Sequence, residues 1–154
     1  MSIGKGDVVA DFELPDQDGK PRRLSELLAA GPVVLFFYPA AMTSGCTAEA
    51  CNFRDLAAEF AAAGAQRVGI SRDPVEKQKK FADLNNFDYP LLSDPDGKVA
   101  AAMGVKRKLP LGPLSMKRMT FVIDTDSKIL EVIHSETNMN EHAMDALKAL
   151  AGRS

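Results

Sequence analysis

The pattern of apolar positions predicts two short buried strands with a helix between them. Val33 to Tyr38 (VVLFFY) is apolar on both faces and rich in β-branched and aromatic residues, which is typical of a central strand. Gln66 to Ser71 is a second run of this kind. Between the two, helical spacing predicts one helix from Gly45 to Ala63, which Gly64 ends. The apolar positions with this spacing are Cys46, Ala50, Phe53, Leu56, Ala57 and Phe60.

Turn residues organise the beginning of the chain. Residues 11–24 (DFELPDQDGKPRRL) predict a β-hairpin around an Asp-Gly turn. Ser25 is then expected to cap a short helix over residues 26–30, which Gly31 and Pro32 end.

The second half of the chain alternates in the same way. Asp73 and Pro74 are expected to open a helix as its cap and first-turn residue. Residues 89–105 predict a strand, a turn and a short helix, and residues 119–135 a hairpin, before a last helix from 140 to 151. The residues expected to face the core are Val75, Phe81 and Leu84 on the first of these helices, and Met144, Leu147 and Leu150 on the last.

This order of elements indicates an α/β fold with a mixed central sheet. Strands alternate with helices first, and an antiparallel pair follows, so that helices should cover both faces of the sheet. A thioredoxin-like fold with an N-terminal β-hairpin fits this order. No repeat, low-complexity tract or linker interrupts the chain, and we therefore expect residues 1–154 to form a single domain.

The amino-acid composition and net charge limit which kinds of partner the chain is expected to bind. The chain has 154 residues, 45% of them hydrophobic, and 19 basic against 21 acidic residues give a net charge of −2. This balance argues against binding to nucleic acid or to an anionic membrane. No apolar run approaches the ~20 residues that span a bilayer, and the N-terminus lacks the features of a signal peptide. These observations predict a cytoplasmic protein.

The only two cysteines, Cys46 and Cys51, stand five positions apart. In a reducing compartment such a pair is reactive or binds a metal, although a cysteine at a helix start is more often a small buried apolar residue. At the predicted helix start, unpaired N–H groups and the helix dipole would stabilise the Cys46 thiolate, which is the nucleophilic form. Basic residues that could add to this effect are Lys106, Arg107, Lys108, Lys117 and Arg118.

Three residues could complete a site around Cys46. If residues 119–124 (MTFVID) pair with VVLFFY, Arg118 falls near the sheet edge where Cys46 emerges. Pro39 would shield the far side of the pocket, and the Thr43 hydroxyl can both donate and accept hydrogen bonds. Alone, Pro39 would be a turn residue, Thr43 a helix cap and Arg118 a solvated charge, but the spacing Pro-x-x-x-Thr-x-x-Cys after a buried strand is specific.

The segment FYPAAMTSGCTAEACNFRDL resembles the active-site segment of the peroxiredoxins. It is most similar to the bacterioferritin comigratory protein or peroxiredoxin Q subfamily, whose second cysteine follows five residues after the first. The resemblance extends to GDVVADFELPDQDGKPRRLSEL, GISRDPVEKQKKFAD, YPLLSDPDGKVAAAMGVK and KRMTFVID, nearly the whole chain.

The resemblance implies a thiol peroxidase for hydrogen peroxide and organic hydroperoxides. Cys46 would be the peroxidatic cysteine and Cys51 the resolving cysteine, with Pro39, Thr43 and Arg118 completing the site. It also implies recycling by thioredoxin or a similar dithiol, a monomer, and no metal or organic cofactor. This chain departs from many relatives in having Ala40-Ala41-Met42 where they carry polar residues, and an apolar pocket mouth would favour organic hydroperoxides.

The spacing of the two cysteines determines whether they can form a disulfide within a regular helix. Residues five apart in a regular helix have Cα atoms separated by roughly 8.6 Å. A disulfide needs a Cα separation below about 7 Å. If both cysteines lie in one helix, its first turns must unwind before Cys46 and Cys51 can bond.

Three other readings compete with the peroxidase. A thioredoxin-type disulfide oxidoreductase would prefer Cys-x-x-Cys. A metal site would have to combine the two cysteines with His134 and His142, which do not follow at the spacing of a zinc finger. A non-catalytic interaction protein with the same fold would not need the intact set of Pro39, Thr43, Cys46 and Arg118.

Overall fold

The computed structural model describes residues 3–111 and 114–153, and of residues 107–115 it describes no side chains. The expected contributions of Arg107 and Lys108 to the basic cluster therefore lie outside what is described. The strands are β1 Glu13–Pro15, β2 Pro21–Arg23, β3 Val33–Phe37, β4 Gln66–Ser71, β5 Leu91–Ser93, β6 Lys106–Leu111, β7 Leu114–Met116, β8 Met119–Ile123 and β9 Ile129–His134. The helices are α1 Leu24–Leu28, α2 Ser44–Asp55, α3 Ala57–Ala62, α4 Val75–Asn85, α5 Lys98–Ala102 and α6 Met139–Ala151.

The central sheet is mixed, with five strands in the order β5-β4-β3-β8-β9. β3 pairs in parallel with β4 and antiparallel with β8, and its residue Phe37 lies opposite Met119. The end of β3 therefore meets the start of β8. The predicted pairing of VVLFFY with MTFVID is confirmed, as is the N-terminal hairpin of β1 and β2.

The alternation of side chains along β3 divides the core into two halves. Val33, Leu35 and Phe37 pack with apolar residues of α1 and α5 on one face of the sheet. Val34, Phe36 and Tyr38 point to the other face and pack with residues of α2, α3, α4 and α6. β3 is buried over its whole length because helices cover both faces, as the continuous apolar run predicts.

The long helix predicted for residues 45–63 is instead two helices. The chain leaves helical geometry at Leu56 (φ −96°, ψ 22°), between α2 and α3. Just before the break, the carbonyl of Phe53 accepts a hydrogen bond from Arg67 Nη1 at 2.9 Å. A side chain from β4 thus donates a hydrogen bond to a backbone carbonyl near the end of α2. The predicted end is confirmed, since Gly64 follows α3 with φ +71°.

Two predicted helix caps are wrong. α1 begins at Leu24 with Arg23 at the N-cap, and Ser25 lies in the first turn, where its hydroxyl donates to Asp11. The N-cap of α4 is Pro74; Asp73 Oδ2 accepts from Ala41 N–H at 2.7 Å, and Asp73 Oδ1 pairs with Lys77 of α4. In both cases a tertiary partner competes with the local cap.

Other differences lie at the surface. Leu84 and Met144, expected in the core, are 64% and 55% exposed. The two-stranded sheet of β6 and β7 was not predicted, because its proline-containing sequence has little strand character. None of the helices that the structure describes is long and apolar enough to cross a membrane.

Candidate active site

Cys46 lies in the first turn of α2, directly after the loop that leaves β3. Its side chain is 1% exposed and packs among apolar residues of one half of the core. The first backbone N–H groups of a helix have no partner within the helix, and they form its positive end. The sheet thus places the Cys46 sulfur at the positive end of α2.

Thr43 occupies the N-cap position of α2 but does not cap it with its side chain. The hydroxyl instead donates to the carbonyl of Ala40 at 2.9 Å. The carbonyl of Thr43 accepts from both the backbone N–H and the hydroxyl of Thr47. The hydroxyl oxygen therefore stays at the mouth of the site with capacity to accept a further hydrogen bond.

The loop from Pro39 to Thr43 is fastened to the neighbouring strand. Ala41 N–H donates to Asp73 Oδ2 at 2.7 Å, and the same oxygen accepts from the Ser71 hydroxyl at 2.6 Å. Ala41 is buried, whereas Met42 is 41% exposed in a left-handed conformation with φ +68°. The loop thus places one methionine side chain at the mouth of the site.

Arg118 immediately precedes β8, and the pairing of β8 with β3 places it beside the start of α2. Its side chain is 7% exposed. A Cβ placed on Gly45 would lie 3.2 Å from Arg118 Nη2, so that the guanidinium packs against the backbone next to Cys46. Burial lowers the pKa of Arg118, but the negative charges of Cys46 and Glu49 outweigh this and raise it. Arg118 is a permanent cation beside the sulfur.

Glu49 is a buried acid that the sequence analysis missed. Its side chain is fully buried, and Oε1 accepts from Arg118 Nη1 at 2.8 Å. Burial raises the pKa of Glu49 to about 8, although Arg118 opposes the shift. A signal was available in the sequence, because Glu49 falls three residues after Cys46 and so lies on the same buried face of α2 as Ala50 and Phe53.

His142 lies behind Glu49 and is also fully buried. Its Nδ1 is 2.7 Å from the Thr120 hydroxyl and 3.4 Å from Glu49 Oε2, and its Nε2 is 2.8 Å from the carbonyl of Ser135. His134 lies apart on β9, where it contacts Glu136. Among the residues that the structure describes, no three metal-ligating side chains come together.

Cys51 is half-buried on the same helix as Cys46, and both thiols are free. Its sulfur is 3.9 Å from Asn85 Oδ1 on α4. The preceding carbonyl, that of Ala50, accepts from the buried Tyr89 hydroxyl at 2.7 Å. The two cysteines thus share a regular helix, in which their spacing does not permit a disulfide.

The sequence signature of the AhpC/TSA family matches residues 5–132. The chain belongs to the AhpC/TSA family of peroxiredoxins. Peroxiredoxin Bcp of Escherichia coli is 39% identical over 140 residues, which cover 89% of each chain. A peroxiredoxin of this family is a thiol peroxidase, and this function is established here by relatives across nearly the whole chain.

Solved structures of peroxiredoxins share the fold. Peroxidoxin BcpB from Mycobacterium tuberculosis superposes with a TM-score of 0.93 and 67% identity, covering 99% of both chains. The bacterioferritin comigratory protein of Xanthomonas campestris, studied for its alkyl peroxide reduction activity, has a TM-score of 0.83 and 28% identity and covers 94% of this chain and 98% of its own. The predicted thioredoxin-like fold and peroxiredoxin family are both confirmed.

Proposed function

We propose that Cys46 is the peroxidatic cysteine of this peroxiredoxin. The observation that carries the proposal is the position of its sulfur at the positive end of α2 beside the buried cation Arg118. Cys51 lacks both features, since it lies in the middle of the helix. Cys46 is therefore the thiol whose anion is better stabilised.

The Cys46 thiolate attacks the terminal oxygen of a hydroperoxide in line with the O–O bond. An S–O bond forms, the O–O bond breaks, and the leaving oxygen departs as hydroxide or alkoxide and takes up a proton. Arg118, the Thr43 hydroxyl and the first N–H groups of α2 hold the peroxide oxygens and stabilise the charge that moves onto the leaving oxygen. Pro39 closes the far side of the pocket. The chemistry of these groups requires no metal or organic cofactor.

Cys51 then resolves the sulfenic acid that forms on Cys46. Its thiolate attacks the Cys46 sulfur, an S–S bond forms, and the S–O bond breaks to release hydroxide, which becomes water on protonation. The helix must unwind to let the two sulfurs meet, and the exposed disulfide is then open to thioredoxin or a similar dithiol. Because both cysteines belong to one chain, a monomer is sufficient.

The mouth of the site favours organic hydroperoxides as substrates. Ala40 and Met42 offer apolar contact surface where charged residues would offer none, and the Met42 side chain is exposed. The activity on alkyl peroxides for which the Xanthomonas relative was studied supports this preference.

One assay tests the assignment of the cysteines. Peroxide consumption is followed with a thioredoxin system for the wild type, Cys46→Ser and Cys51→Ser. We expect no turnover with Cys46→Ser and a single equivalent of peroxide consumed with Cys51→Ser. Full turnover with Cys51→Ser would contradict the proposed resolving role of Cys51. Equal activity of all three proteins would contradict the proposed peroxidatic role of Cys46.

Mass spectrometry after one equivalent of peroxide adds an independent readout. The wild type should lose two hydrogens, which indicates an internal disulfide. Cys51→Ser should gain one oxygen on Cys46. An oxygen retained by the wild type, or a disulfide between two chains, would contradict resolution within a monomer.

A further inference from the structure

Glu49 is a buried carboxyl group with a single close hydrogen-bond donor. Oε1 accepts from Arg118 Nη1 at 2.8 Å, whereas Oε2 is buried and has no hydrogen-bond partner among the residues that the structure describes. Nδ1 of His142 lies 3.4 Å from Oε2. How well the Glu49 carboxylate is stabilised therefore depends on the protons of this histidine.

The contacts of His142 fix which of its nitrogens carries a proton. Nε2 lies 2.8 Å from the carbonyl oxygen of Ser135, which can only accept, so Nε2 is protonated and donates. Nδ1 accepts from the Thr120 hydroxyl at 2.7 Å. Burial lowers the pKa of His142, and Arg118 acts in the same direction, so the ring stays neutral. A neutral ring in this tautomer turns a lone pair, not a proton, toward Glu49 Oε2.

The other groups facing this cluster add no positive charge. Glu136, in the loop before α6, raises the pKa of Glu49 further, and Glu141 on α6 faces His142. Burial raises the pKa of Tyr89, and the charge of Glu49 acts in the same direction. Arg118 is thus the only cation that the structure describes against Glu49, and it faces the Cys46 sulfur as well.

We propose that Arg118 balances one negative charge at a time, on Cys46 or on Glu49, and that Glu49 gives up its proton when Cys46 is oxidised. Two anions against one buried cation would leave a net negative charge out of water, and no anion would leave a net positive charge. With Cys46 as a thiolate, Glu49 is therefore protonated. After oxidation to the uncharged sulfenic acid, Glu49 becomes the carboxylate that pairs with Arg118.

The protons then balance within the protein. The thiolate and the hydroperoxide give sulfenic acid and alkoxide, with sulfur oxidised by two electrons and the O–O bond reduced. The alkoxide takes one proton and Glu49 releases one, so that the step has no net proton uptake from solvent. Glu49 does not touch the substrate; it acts through Arg118 as a charge-balancing residue.

This inference rests on the proposed role of Cys46, and the test separates the two. Cys51→Ser protein, which stops at the sulfenic acid, is mixed with hydrogen peroxide in a weakly buffered solution at about pH 7 with a pH indicator, and proton uptake is counted per sulfenic acid found by mass. We expect uptake close to zero with Glu49 present and about one proton in the Glu49→Gln background. If no oxygen is added to Cys46, the proposed function fails, and the inference that rests on it fails with it.

Equal proton uptake in the two backgrounds, whether zero or one, would overturn the inference. Glu59→Gln is the control, since it removes an exposed acid on α3 outside this cluster, and its uptake should equal that of the Cys51→Ser parent. A merely structural effect of Glu49→Gln would change the rate but not this stoichiometry. Should Glu49→Gln fail to fold, the parent itself is measured at about pH 9, where Glu49 is already ionised and uptake should rise to about one; an unchanged count would overturn the inference.

Discussion

The buried hydroxyl of Tyr89 donates a hydrogen bond to the carbonyl of Ala50, 2.7 Å away and one residue before Cys51. Tyr89 precedes β5, and it packs between the aromatic core and the guanidinium of Arg67, which lies 5.0 Å from its ring centroid. Arg67 in turn donates to the carbonyl of Phe53. Two side chains from outside α2 thus hold its second half, while its first half carries the Cys46 sulfur.

Tyr89→Phe is expected to speed disulfide formation. The Ala50 carbonyl must leave Tyr89 when the helix unwinds, and losing one hydrogen bond of about 1 kcal/mol should raise the rate of resolution about threefold to tenfold. The measurement is the first-order rate at which sulfenic acid disappears after a single peroxide pulse. Tyr38→Phe is the control, because its hydroxyl bonds to Gln78 on α4 instead, and its rate should match the wild type. A rate unchanged by Tyr89→Phe would show that this contact survives in the oxidised form.

Gly45→Ala should separate activity from stability. Alanine is the better helix residue by about 1 kcal/mol. Its Cβ, however, would lie 3.2 Å from Arg118 Nη2 and displace the guanidinium by a few tenths of an ångström. We expect an unchanged or higher Tm with a peroxide rate constant lowered about tenfold. Gly4→Ala, which has open space around its Cβ, should change neither, and a normal rate in Gly45→Ala would mean that the guanidinium position is not critical.

The stability of the reduced protein should fall with pH through the titration of Glu49. Its pKa of about 8 in the folded state lies above the ordinary 4.5, so the protonated group contributes stability that is fully present below about pH 4.5, declines as pH rises from there to about 8, and is gone above that. The Tm of the wild type should therefore drop relative to Glu49→Gln between about pH 7 and pH 8, the upper part of this range. This window avoids His142, whose lowered pKa leaves it neutral there in both states.

The control for this titration is Glu59→Gln, an exposed glutamate on α3. It should follow the wild-type curve. Parallel curves for the wild type and Glu49→Gln would mean that Glu49 is ionised throughout the range, which would contradict the protonated form described above.

Oxidation should melt the beginning of α2. The two sulfurs cannot bond in a helix where their Cα atoms are roughly 8.6 Å apart. Thr47, Ala48 and Ala50, which lie between them together with Glu49, are small and lose little buried area when they unfold. Hydrogen exchange should show loss of protection over residues 45–55 in the oxidised protein and a smaller helical signal in circular dichroism. α5, on the opposite face of the sheet, should keep its protection, and identical exchange in both redox states would refute local unwinding.

Much of the fold was predictable because long apolar runs leave few choices. VVLFFY could only be a strand covered on both faces, and the spacing of the later strands fixed a mixed sheet. The break at Leu56 was not predictable, because it coincides with a hydrogen bond from Arg67, a residue of the next strand. Likewise, the local cap signal of Asp73 lost to a tertiary partner, Ala41 N–H.

The site was predictable as far as its motif extends. The placement of Cys46, Thr43 and Arg118 around one point follows from strand pairing, and the structure brings these three together. Glu49 was missed because it is charged and so does not count among the apolar positions that define the buried face of the helix. His142 was considered only as a metal ligand, because its contact with Thr120 depends on the packing of α6 against β8.

The hydrogen bond from Arg67 to the carbonyl of Phe53 fixes the second end of α2, whereas its first end carries Cys46. A helix that unwinds from one end only stays attached at the other end, so that only the few residues before the attached part can move. If oxidation unwinds only these residues, reduction of the disulfide should let them rewind onto the part of α2 that stays helical, without a fresh nucleation step. We therefore expect the rate of regeneration to depend on the rewinding of the helix and not on refolding of the domain.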